Sequence, residues 1–399
     1  MRISDKIKEN KIFFITFILI TITSLYYLIG KDFLQLIDNY YFPLYVINYD
    51  CGYCSRLLVG AVFSLFFKDT LDVDILANVL IVVYALMCFF FSLFVNNHLK
   101  KTNFEGVGIY AVFMVISPVF LSFLRFLGIV DVFWLFFVMG ALWAVNKKGW
   151  RWLVPLFCII GLAIHELFAT TYLPVIAIAV LYQFIKKPDV PNFIFIAVCA
   201  IIVGATAIYF LFIGDNTMKM TSDEMSQFAR ERLAANGSNF DDFYLRSVFF
   251  WETEHVENYE GFLGYLQYGL NISSMHNKSY VKEIIFFVLS NLLTSIPFIY
   301  LIVKSTKKET SPAKKFIYFC CLMPIPLSIA HLFLSTDTDR FSIHWLMAIL
   351  FILLFFIKEK EESFYETYDE AKKNLSENKI ALAFFGIAVA RIVLSGVRF

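Results

Sequence analysis

Residues 152–185 read WLVPLFCIIGLAI-HE-LFATTYLPVIAIAVLYQFI, an apolar run that only His165 and Glu166 interrupt with charge. A single helix over this run would measure about 51 Å, whereas the hydrocarbon core of a bilayer is about 30 Å thick. Lysine or arginine flanks both ends of the run. Two short helices that meet at His165-Glu166, on the membrane face opposite the basic residues, therefore fit both the length and the charges.

The rest of the chain has the same apolar character. Of the 399 residues, 59% are hydrophobic and 17% are charged, whereas about a quarter of the residues of a soluble domain are charged. The apolar runs are continuous and do not alternate as barrel strands do, so the chain is predicted to be an all-α polytopic membrane protein. About eleven transmembrane helices are predicted, at 12–29, 75–95, 108–124, 130–146, 152–164, 167–185, 192–213, 284–303, 316–334, 341–357 and 380–397.

The distribution of Lys and Arg sets the predicted orientation. With a cytoplasmic N-terminus, the inner segments hold 21 Lys and Arg and the short outer segments hold 6, in agreement with the positive-inside rule. The run 12–29 lacks a small-residue cleavage site and is interpreted as a membrane helix, not a signal peptide. The predicted location is a bacterial-type cytoplasmic (inner) membrane. The net charge of +1 gives no reason to expect a nucleic acid partner.

Two outer segments are long enough to carry structure of their own. The first outer loop, 30–74, contains the apolar stretch 57–67, which is too short to span and is predicted to be an interfacial or re-entrant helix. The second outer loop, 214–283, is polar and aromatic and is predicted to form a small helical cap. These loops divide the chain into a membrane module at 1–213, the outer loop at 214–283 and C-terminal membrane helices at 284–399.

Four outer turns each carry an acid together with a base or a histidine. A single charged residue at such a place is typical of a helix cap or an interfacial anchor, and Asp131 could cap the fourth helix in this way. His165 and Glu166 carry more weight, because ionisable groups at membrane depth are costly and mark functional sites. Together the turns predict one polar pocket on the outer face, formed by Asp50 and Arg56, Arg125 and Asp131, His165 and Glu166, and Asp337, Asp339, Arg340 and His344.

The residue types of this predicted pocket suit the transfer of a phosphate-linked group. A carboxylate can act as a general base or bind a divalent cation, and an arginine can hold a phosphate. Asp337-Thr338-Asp339 is an acid-x-acid pair, a weak pattern that could hold Mg²⁺ or Mn²⁺ with a diphosphate. The chain contains no GxxxxGK[ST] sequence, so no ATP site is indicated. A donor used on the outer face is therefore expected to be carried by a lipid.

Two of the seven cysteines, Cys51 and Cys54, lie in a polar loop, within the stretch YDCGYCSR at 49–56. The CxxC spacing occurs in redox motifs and in half of a zinc site. No second CxxC or CxxxH pair completes a zinc site, so zinc is disfavoured. A structural disulfide, two unpaired thiols and, as the minor alternative, a membrane thiol oxidoreductase remain open.

The layout resembles the GT-C superfamily of membrane glycosyltransferases, which use polyprenyl-phosphate or polyprenyl-diphosphate sugars on the extracytoplasmic side. The resemblance lies in architecture and acid placement. Asp50 follows the first helix and precedes the interfacial stretch 57–67, Asp131 lies in the short turn between the third and fourth helices, and the large loop 214–283 follows the seventh helix.

This resemblance implies a GT-C-like fold and a sugar transfer with inversion to a glycan, lipid or polymer acceptor of the cell surface. Asp50 would be the general base, and Asp131 would be a second acid that positions the acceptor or a metal ion. An arginine would hold the lipid phosphate, since a phosphate leaves well only when its charge is stabilised. The predicted substrate- and phosphate-binding residues are Arg56, Arg125, His165, Glu166, Arg340 and His344.

Two other functions compete with this prediction. A polysaccharide polymerase or ligase would join lipid-carried glycans on the same face, and the six Lys and Arg residues of 214–283 make that credible. A flippase or transporter of lipid-linked glycans would be expected to show internal repeats and charges near mid-membrane. Arg391 and the break at His165-Glu166 are the features that favour a transporter.

Overall fold

The computed structural model describes residues 9–29, 37, 39–67, 70–100, 102, 108, 112, 119–240, 242, 245, 249, 278–327, 338–374, 379, 382, 383 and 386. These residues are helical or irregular, and no β-strand occurs among them. One isolated backbone bridge joins Leu71 to Leu233. The structure is therefore all-α in the part described, as the sequence predicts.

The helices of nine or more residues are labelled in chain order. They are α1 (Lys11–Leu28), α2 (Leu57–Phe66), α3 (Val73–Leu99), α4 (Trp134–Val145), α5 (Leu153–Ile164), α6 (Leu173–Lys186), α7 (Val190–Phe212), α8 (Ser222–Arg232), α9 (Lys278–Lys308), α10 (Pro312–Cys320), α11 (Thr338–Glu359) and α12 (Glu362–Asn374).

Three of these helices, α1, α3 and α7, are long and apolar enough to cross a membrane. Among the shorter apolar helices are α2, α5 and α6, which have 10, 12 and 14 residues. A helix of 12 residues is about 18 Å long and cannot cross a bilayer unaided. Membrane association therefore follows from the described helices, whereas the number of complete spans stays a prediction.

The break predicted in the run 152–185 is confirmed. Helix α5 ends where the backbone of His165 becomes extended, with φ −165° and ψ 129°. A single-turn helix, Phe168–Thr171, follows, and α6 begins at Leu173 with a proline in its first turn. Proline is tolerated at this place because the first-turn N–H groups of a helix have no intrahelical acceptor. The break thus leaves two polar side chains between two apolar helices.

Within the described part of the chain, the most extensive helix pair is α4 with α5, followed by α1 with α3, and the pairs α5–α7 and α9–α11 come next. Helix α11 packs against α3, α6 and α9 and closes the bundle. Trp134 and Trp345 are fully buried, so the core is built around large aromatic side chains. This packing brings the first turn of α4, the break after α5 and the first half of α11 together.

Contacts join several of the predicted outer segments at one end of the bundle. This end carries the stretch 49–56 and is called the motif end. The Arg56 N–H donates to the Ala163 carbonyl (2.9 Å), and the Lys219 N–H donates to the Cys51 carbonyl (2.8 Å). The predicted outer segments at 30–74, at His165-Glu166 and at 214–283 therefore lie side by side.

Predicted inner segments meet one another in the same way at the opposite end. The Asn146 side chain donates to Glu359 (2.7 Å), and the Lys358 ammonium donates to the Asn97 carbonyl (2.8 Å). This sorting of segments agrees with the predicted alternation of the chain. Which end faces the cytoplasm rests on the distribution of Lys and Arg.

A buried polar network also lies at the opposite end, between helices α6, α10 and α12. The Lys314 ammonium lies 2.7 Å from Glu361 and 3.7 Å from Glu309. The Tyr182 hydroxyl donates to Glu361, and the Ser363 hydroxyl donates to Glu309 (3.1 Å). Both carboxylates are nearly excluded from solvent, so their charges are satisfied by protein groups.

One prediction about the helices requires correction. The helix predicted at 316–334 is not continuous, because α10 ends at Cys320 and a turn precedes Pro324 and Pro326. A proline lacks the N–H that a helix interior needs and disfavours helix at the residue before it. The inner segment 358–379 contains α12, which buries Phe364 and Tyr368 on one face.

Two other predicted helices cannot be compared in full. The helix at 380–397 and most of the helix at 108–124 lie outside the described residues. Of the second outer loop, the described part contains α8, so a helix is present where a helical cap is predicted. Thr221 and Glu224 form a capping box at its start, a typical helix N-terminus.

Candidate functional site

The stretch 49–56 forms a turn that is tied to the end of α5. The Asp50 N–H donates to the side-chain oxygen of Asn48 (2.8 Å). Arg56 adopts a left-handed backbone with φ 73°, which is unfavourable for a residue with a Cβ. Its N–H donates to the carbonyl oxygen of Ala163 (2.9 Å). This anchor directs the end of the turn to the break between α5 and α6.

Arg56 forms a two-pronged ion pair with Glu166 in that break. One guanidinium nitrogen contacts Oε1, and Nε lies 3.2 Å from Oε2. The Ser55 hydroxyl donates to Oε2, and Nδ1 of His165 lies 3.1 Å from it. The side chains of Arg56 and Glu166 are only 15% and 19% exposed, so each charge depends on the other for compensation. Three predicted site residues therefore meet, and Ser55 joins them.

Asp131 and His344 form a second, more deeply buried pair. Nε2 of His344 lies 3.3 Å from Oδ2 of Asp131, and the two side chains are 1% and 2% exposed. Nδ1 of the same imidazole lies 2.8 Å from the Tyr172 hydroxyl. A carboxylate, an imidazole and a phenol are thus held in a row, an arrangement that fixes the imidazole and can relay a proton.

Trp134 connects the two pairs. Its ring lies 5.0 Å from the His344 ring and 5.4 Å from the His165 ring, both edge to face. Its indole N–H donates to the Gly161 carbonyl in the last turn of α5 (2.9 Å). Sequence reasoning missed Trp134 and Tyr172, because the chain has 47 Phe, 21 Tyr and 6 Trp, and an aromatic residue in an apolar run carries no signal of its own.

A small cleft of about 220 Å³ opens beside the Asp131–His344 pair. Its walls are almost entirely apolar, apart from these two polar residues. The lining residues are Phe123, Phe126, Ile129, Asp131, Val132, Ile343 and His344. Most of that volume is open to solvent, and the enclosed space of about 10 Å³ would hold about one water molecule, so the cleft does not enclose a sugar.

Asp50 lies apart from both buried pairs, on the surface of the motif end. Its carboxylate is 66% exposed, and Oδ2 lies 3.8 Å from a guanidinium nitrogen of Arg232 at the end of α8. The Arg232 guanidinium also lies 4.4 Å from the ring of Phe228. The predicted base is therefore accessible. Its cationic neighbour, Arg232, comes from the loop 214–283, and the sequence predicted only that this loop lies on the same side of the membrane as Asp50.

Arg232 also lines a second cleft, of about 190 Å³, next to α2. The backbone of Leu71 pairs with that of Arg232 and Ala234, with N–H to oxygen distances of 2.8 and 3.0 Å, and this holds the arginine in place. Except for Ser64 and Arg232, the side chains of the cleft are apolar or aromatic. The lining residues are Tyr45, Val46, Phe63, Ser64, Phe67, Leu71 and Arg232.

The structure shows no contact between the other predicted site residues and the pairs Arg56–Glu166, Asp131–His344 and Asp50–Arg232 in the part of the chain that it describes. Arg125 is exposed, with its guanidinium 5.5 Å from the ring of the neighbouring Phe126. Asp337 lies outside the described residues, as do the side chains of Asp339 and Arg340. In the described part of the chain, no three His, Cys, Asp or Glu side chains form a group that could hold a metal ion. The Mg²⁺ or Mn²⁺ site at Asp337 and Asp339 stays a prediction.

Cys51 and Cys54 are buried, and no disulfide joins them. Burial raises the pKa of the Cys51 thiol above its ordinary value, and the neighbouring Asp50 carboxylate raises it further, while Arg232 and Lys219 lower it. A thiol with a raised pKa is a poor nucleophile. Of the three alternatives left open by the sequence, the structure therefore has two thiols without a disulfide, and the environment of Cys51 disfavours a thiol oxidoreductase.

The chain matches no protein-family model, no curated protein sequence and no solved structure. Its function is therefore inferred from the geometry of its own residues. That geometry offers two chemically different places, an exposed carboxylate–guanidinium pair beside an apolar cleft and a buried set of ionisable groups around Trp134.

Proposed function

We propose that the chain is a membrane glycosyltransferase, which moves a sugar from a polyprenyl-phosphate or polyprenyl-diphosphate donor to an acceptor hydroxyl on the extracytoplasmic face. One observation carries the proposal. The exposed Asp50 carboxylate lies 3.8 Å from Arg232, and Arg232 lines an apolar cleft. A carboxylate, a guanidinium and an apolar wall thus lie next to one another, as this chemistry would need.

The apolar wall suits the lipid part of such a donor. Phe63 of α2 and the adjoining Phe67 line the cleft, while Leu65 and Phe66 of the same segment are exposed. An exposed apolar face on a short helix is typical of a helix that lies in the membrane interface. The polyprenyl chain would lie along α2, and its phosphate would be bound by Arg232, whose planar guanidinium matches phosphate oxygens.

Asp50 would act as the general base. Its carboxylate would take the proton from the acceptor hydroxyl while that oxygen attacks the anomeric carbon of the sugar. The bond from the anomeric carbon to the phosphate oxygen would break, and the phosphate would leave with the electron pair. Arg232 would stabilise the charge that develops on the leaving phosphate. A single displacement of this kind inverts the anomeric configuration.

Arg56 has a positioning role in this proposal. The sequence nominates it for phosphate binding, but its guanidinium is held by Glu166 and is mostly buried. An arginine in such a pair would have to leave a buried carboxylate uncompensated before it could bind a phosphate, which is costly. Arg232 is therefore the better candidate for the phosphate, and Arg56 holds the turn that presents Asp50.

Deletion of the gene from the native host tests the proposal. We expect one sugar to disappear from the surface glycans and its polyprenyl-linked donor to accumulate, and the wild-type gene to restore both. Asp50→Asn should not restore them, because a carboxamide cannot accept the proton, and the loss of rate should be about 100-fold or more. A complete surface glycan in the Asp50→Asn strain would refute the role of Asp50.

A matched control separates base catalysis from a general effect of surface charge. Asp74 is an exposed acid in the first turn of α3, on the same side of the predicted membrane. Asp74→Asn should restore the glycan fully. Arg232→Gln should reduce transfer and raise the KM for the lipid-linked donor, and it should leave the amount of membrane protein unchanged.

A second candidate function is a transporter or flippase of lipid-linked glycans. The observation that favours it is the buried row of Asp131, His344 and Tyr172, since ionisable groups among apolar helices often form proton relays. In a transporter, His344→Phe should abolish movement of the glycan lipid across the membrane, while Asp50→Asn should preserve it. If Asp50→Asn abolishes transfer of the sugar while His344→Phe preserves it, the result supports the transferase.

A further inference from the structure

Lysines gather at the end of the bundle opposite the motif end, where helices α3, α4 and α11 end. Lys100 follows the last residue of α3, Lys147 lies two residues after α4, and Lys358 lies in the last turn of α11. Lys360 comes directly after α11, in the turn to α12. Neither the proposed transferase chemistry nor the transporter alternative uses these residues.

Contacts between the helix ends hold this lysine cluster together. The Lys358 ammonium donates to the carbonyl of Asn97 in the last turn of α3 (2.8 Å). The Asn146 side chain donates to Glu359 (2.7 Å), which joins the end of α4 to the end of α11. Three lysines from three helices distant in sequence are therefore neighbours in the fold.

The lysines are close enough to affect one another electrostatically. Partial desolvation lowers the pKa of the Lys358 ammonium below its ordinary value, and the positive charges of Lys100 and Lys147 lower it further. A like charge nearby disfavours the charged form of an ionisable group. The cluster is therefore a place where positive charge repels itself.

The protein supplies little negative charge to offset this repulsion. In the described part of the chain, no carboxylate forms an ion pair with Lys100, Lys147 or Lys358. Glu359 is adjacent to Lys358, but the Lys186 ammonium already lies 2.9 Å from its carboxylate. Each of the three helix C-termini contributes about half a negative charge, which is less than the four lysines carry. An anion bound at the cluster would therefore stabilise this end of the bundle.

Exposed tryptophans place the cluster at the level of the lipid headgroups. Trp143 of α4 and Trp150 after it are 46% and 57% exposed, and their rings lie 5.8 Å apart. The Trp150 N–H donates to the Lys147 carbonyl (2.9 Å). Tryptophan is enriched at the boundary between membrane and water. The anions of that layer are the phosphate groups of lipids, and anionic lipids attract basic segments beside membrane helices.

We propose that Lys100, Lys147 and Lys358 bind the headgroup of an anionic phospholipid from the membrane leaflet at this end. The ammonium groups would donate hydrogen bonds to the phosphate oxygens, while the acyl chains stay in the hydrocarbon layer. The bound headgroup would hold the ends of α3, α4 and α11 together. Asp131 lies just before α4 and His344 lies in α11, so the lipid would also stabilise the helices that position this pair.

Native mass spectrometry of the full-length protein, purified in detergent and mixed with equal amounts of phosphatidylglycerol and phosphatidylcholine, tests the proposal. We expect preferential retention of phosphatidylglycerol, which should also raise the unfolding temperature, whereas phosphatidylcholine should not. Replacement of any one of the three lysines by glutamine should weaken phosphatidylglycerol binding about fivefold, and the triple variant should weaken it about 100-fold. Lys187→Gln, which removes an exposed lysine that Asp189 already pairs with, should leave binding unchanged.

Lys147→Gln separates lipid binding from folding, because the Lys147 side chain is exposed and forms no ion pair or hydrogen bond with the described residues. The elution of this variant in gel filtration should match that of the wild type. Equal retention of the two lipids by the wild type would overturn the site, as would undiminished phosphatidylglycerol binding by the triple variant. Inorganic phosphate that raised the unfolding temperature as much as phosphatidylglycerol would show that the cluster binds a free anion, and it would overturn the assignment to a lipid.

Discussion

Asp50 and Arg56 are six positions apart in one turn, yet the structure treats them in opposite ways. Asp50 is 66% exposed, and its nearest cation, Arg232, lies 3.8 Å away. Arg56 is 15% exposed and grips Glu166 with two nitrogens, while Ser55 and His165 surround the same carboxylate. The sequence offers the two residues as equal members of one polar pocket.

The difference shows that two charged residues of one loop can have different roles, one in ligand binding and the other in stability. An exposed, loosely paired charge contributes little to stability and stays available to a ligand. Disruption of a buried pair lowers the stability of the protein, because removal of one partner leaves the other charge buried and uncompensated. We expect mutations of Arg56 to act on stability and mutations of Asp50 to act on transfer. The following predictions proceed from the largest expected effect on stability to the smallest.

Removal of the buried pair's cation should have the largest effect. Arg56→Ala leaves Glu166 uncompensated in the break after α5, and it should lower the stability of the protein by about 3 kcal/mol. Thermal unfolding in detergent measures the effect. The double variant Arg56→Met, Glu166→Leu should be less destabilised than Arg56→Ala, because no charge is stranded.

The control for this prediction is Lys187→Ala. Lys187 pairs with Asp189 at 3.2 Å, but it is highly exposed, so its loss should be nearly neutral. An Arg56→Ala protein that unfolds at the wild-type temperature would remove the distinction between the two pairs.

The second prediction concerns the helix that follows the turn. A Cβ at Gly60 would lie 1.8 Å from the carbonyl oxygen of Ile47, so Gly60→Ala must push α2 away from the segment before the turn. The cost should be about 2 kcal/mol. Since α2 also supplies the wall of the cleft beside Arg232, transfer should fall in the same variant.

Gly204→Ala is the matched control, because nothing lies within 4 Å of a Cβ at that position of α7. This change should be neutral or slightly stabilising, since alanine is the better helix former. Equal unfolding temperatures for the Gly60 and Gly204 variants would show that α2 is not held against Ile47.

The third prediction concerns Glu309, a buried carboxylate in the polar network at the end of the bundle opposite Asp50. Burial by itself raises the pKa of Glu309, but hydrogen bonds from the Ser311 N–H and the Ser363 hydroxyl, together with Lys314, outweigh it and lower that pKa below its ordinary value. The resulting stability is present above the ordinary carboxyl range, about pH 4.3, and is lost as the pH falls through the lowered pKa.

Unfolding temperature measured against pH tests this sign. Glu309→Gln should remove part of the acid-side loss and cost about 1 kcal/mol near neutral pH, where the charged hydrogen bonds are intact. Glu370, whose partner is Lys308 at 3.0 Å, is exposed, and Glu370→Gln should leave the profile unchanged. A Glu309→Gln profile identical to that of the wild type would contradict the prediction.

The smallest effect on stability is expected at the exposed pair. Asp50→Asn and Arg232→Gln should each change the stability by less than about 0.5 kcal/mol, because exposed ion pairs contribute little. Thermal unfolding of the same preparations that are assayed for transfer provides the measurement. If Asp50→Asn unfolded as early as Arg56→Ala, the loss of activity in that variant would reflect folding instead of catalysis.

The sequence predicted much of the helical framework and several site residues. The apolar runs placed α1, α3 and α7, and the pair His165-Glu166 located the break, because charge inside an apolar run is costly enough to mark its place. The coincidence of charged residues at four outer turns selected Asp131 and His344, which do meet. It could not select Tyr172 or Trp134, since apolar helices contain many aromatic residues and only packing decides which of them face the polar groups.

The sequence by itself determined that this is a helical chain suited to a membrane, where the long apolar run breaks, and which charged residues depart from the apolar pattern. Only the tertiary structure decided that Arg56 belongs to Glu166, 110 residues further on, while Asp50 faces Arg232 at the surface. The physical reason is that a charge in a loop acquires its role from its burial and its partner. Both depend on contacts between segments distant in sequence, which no local pattern encodes.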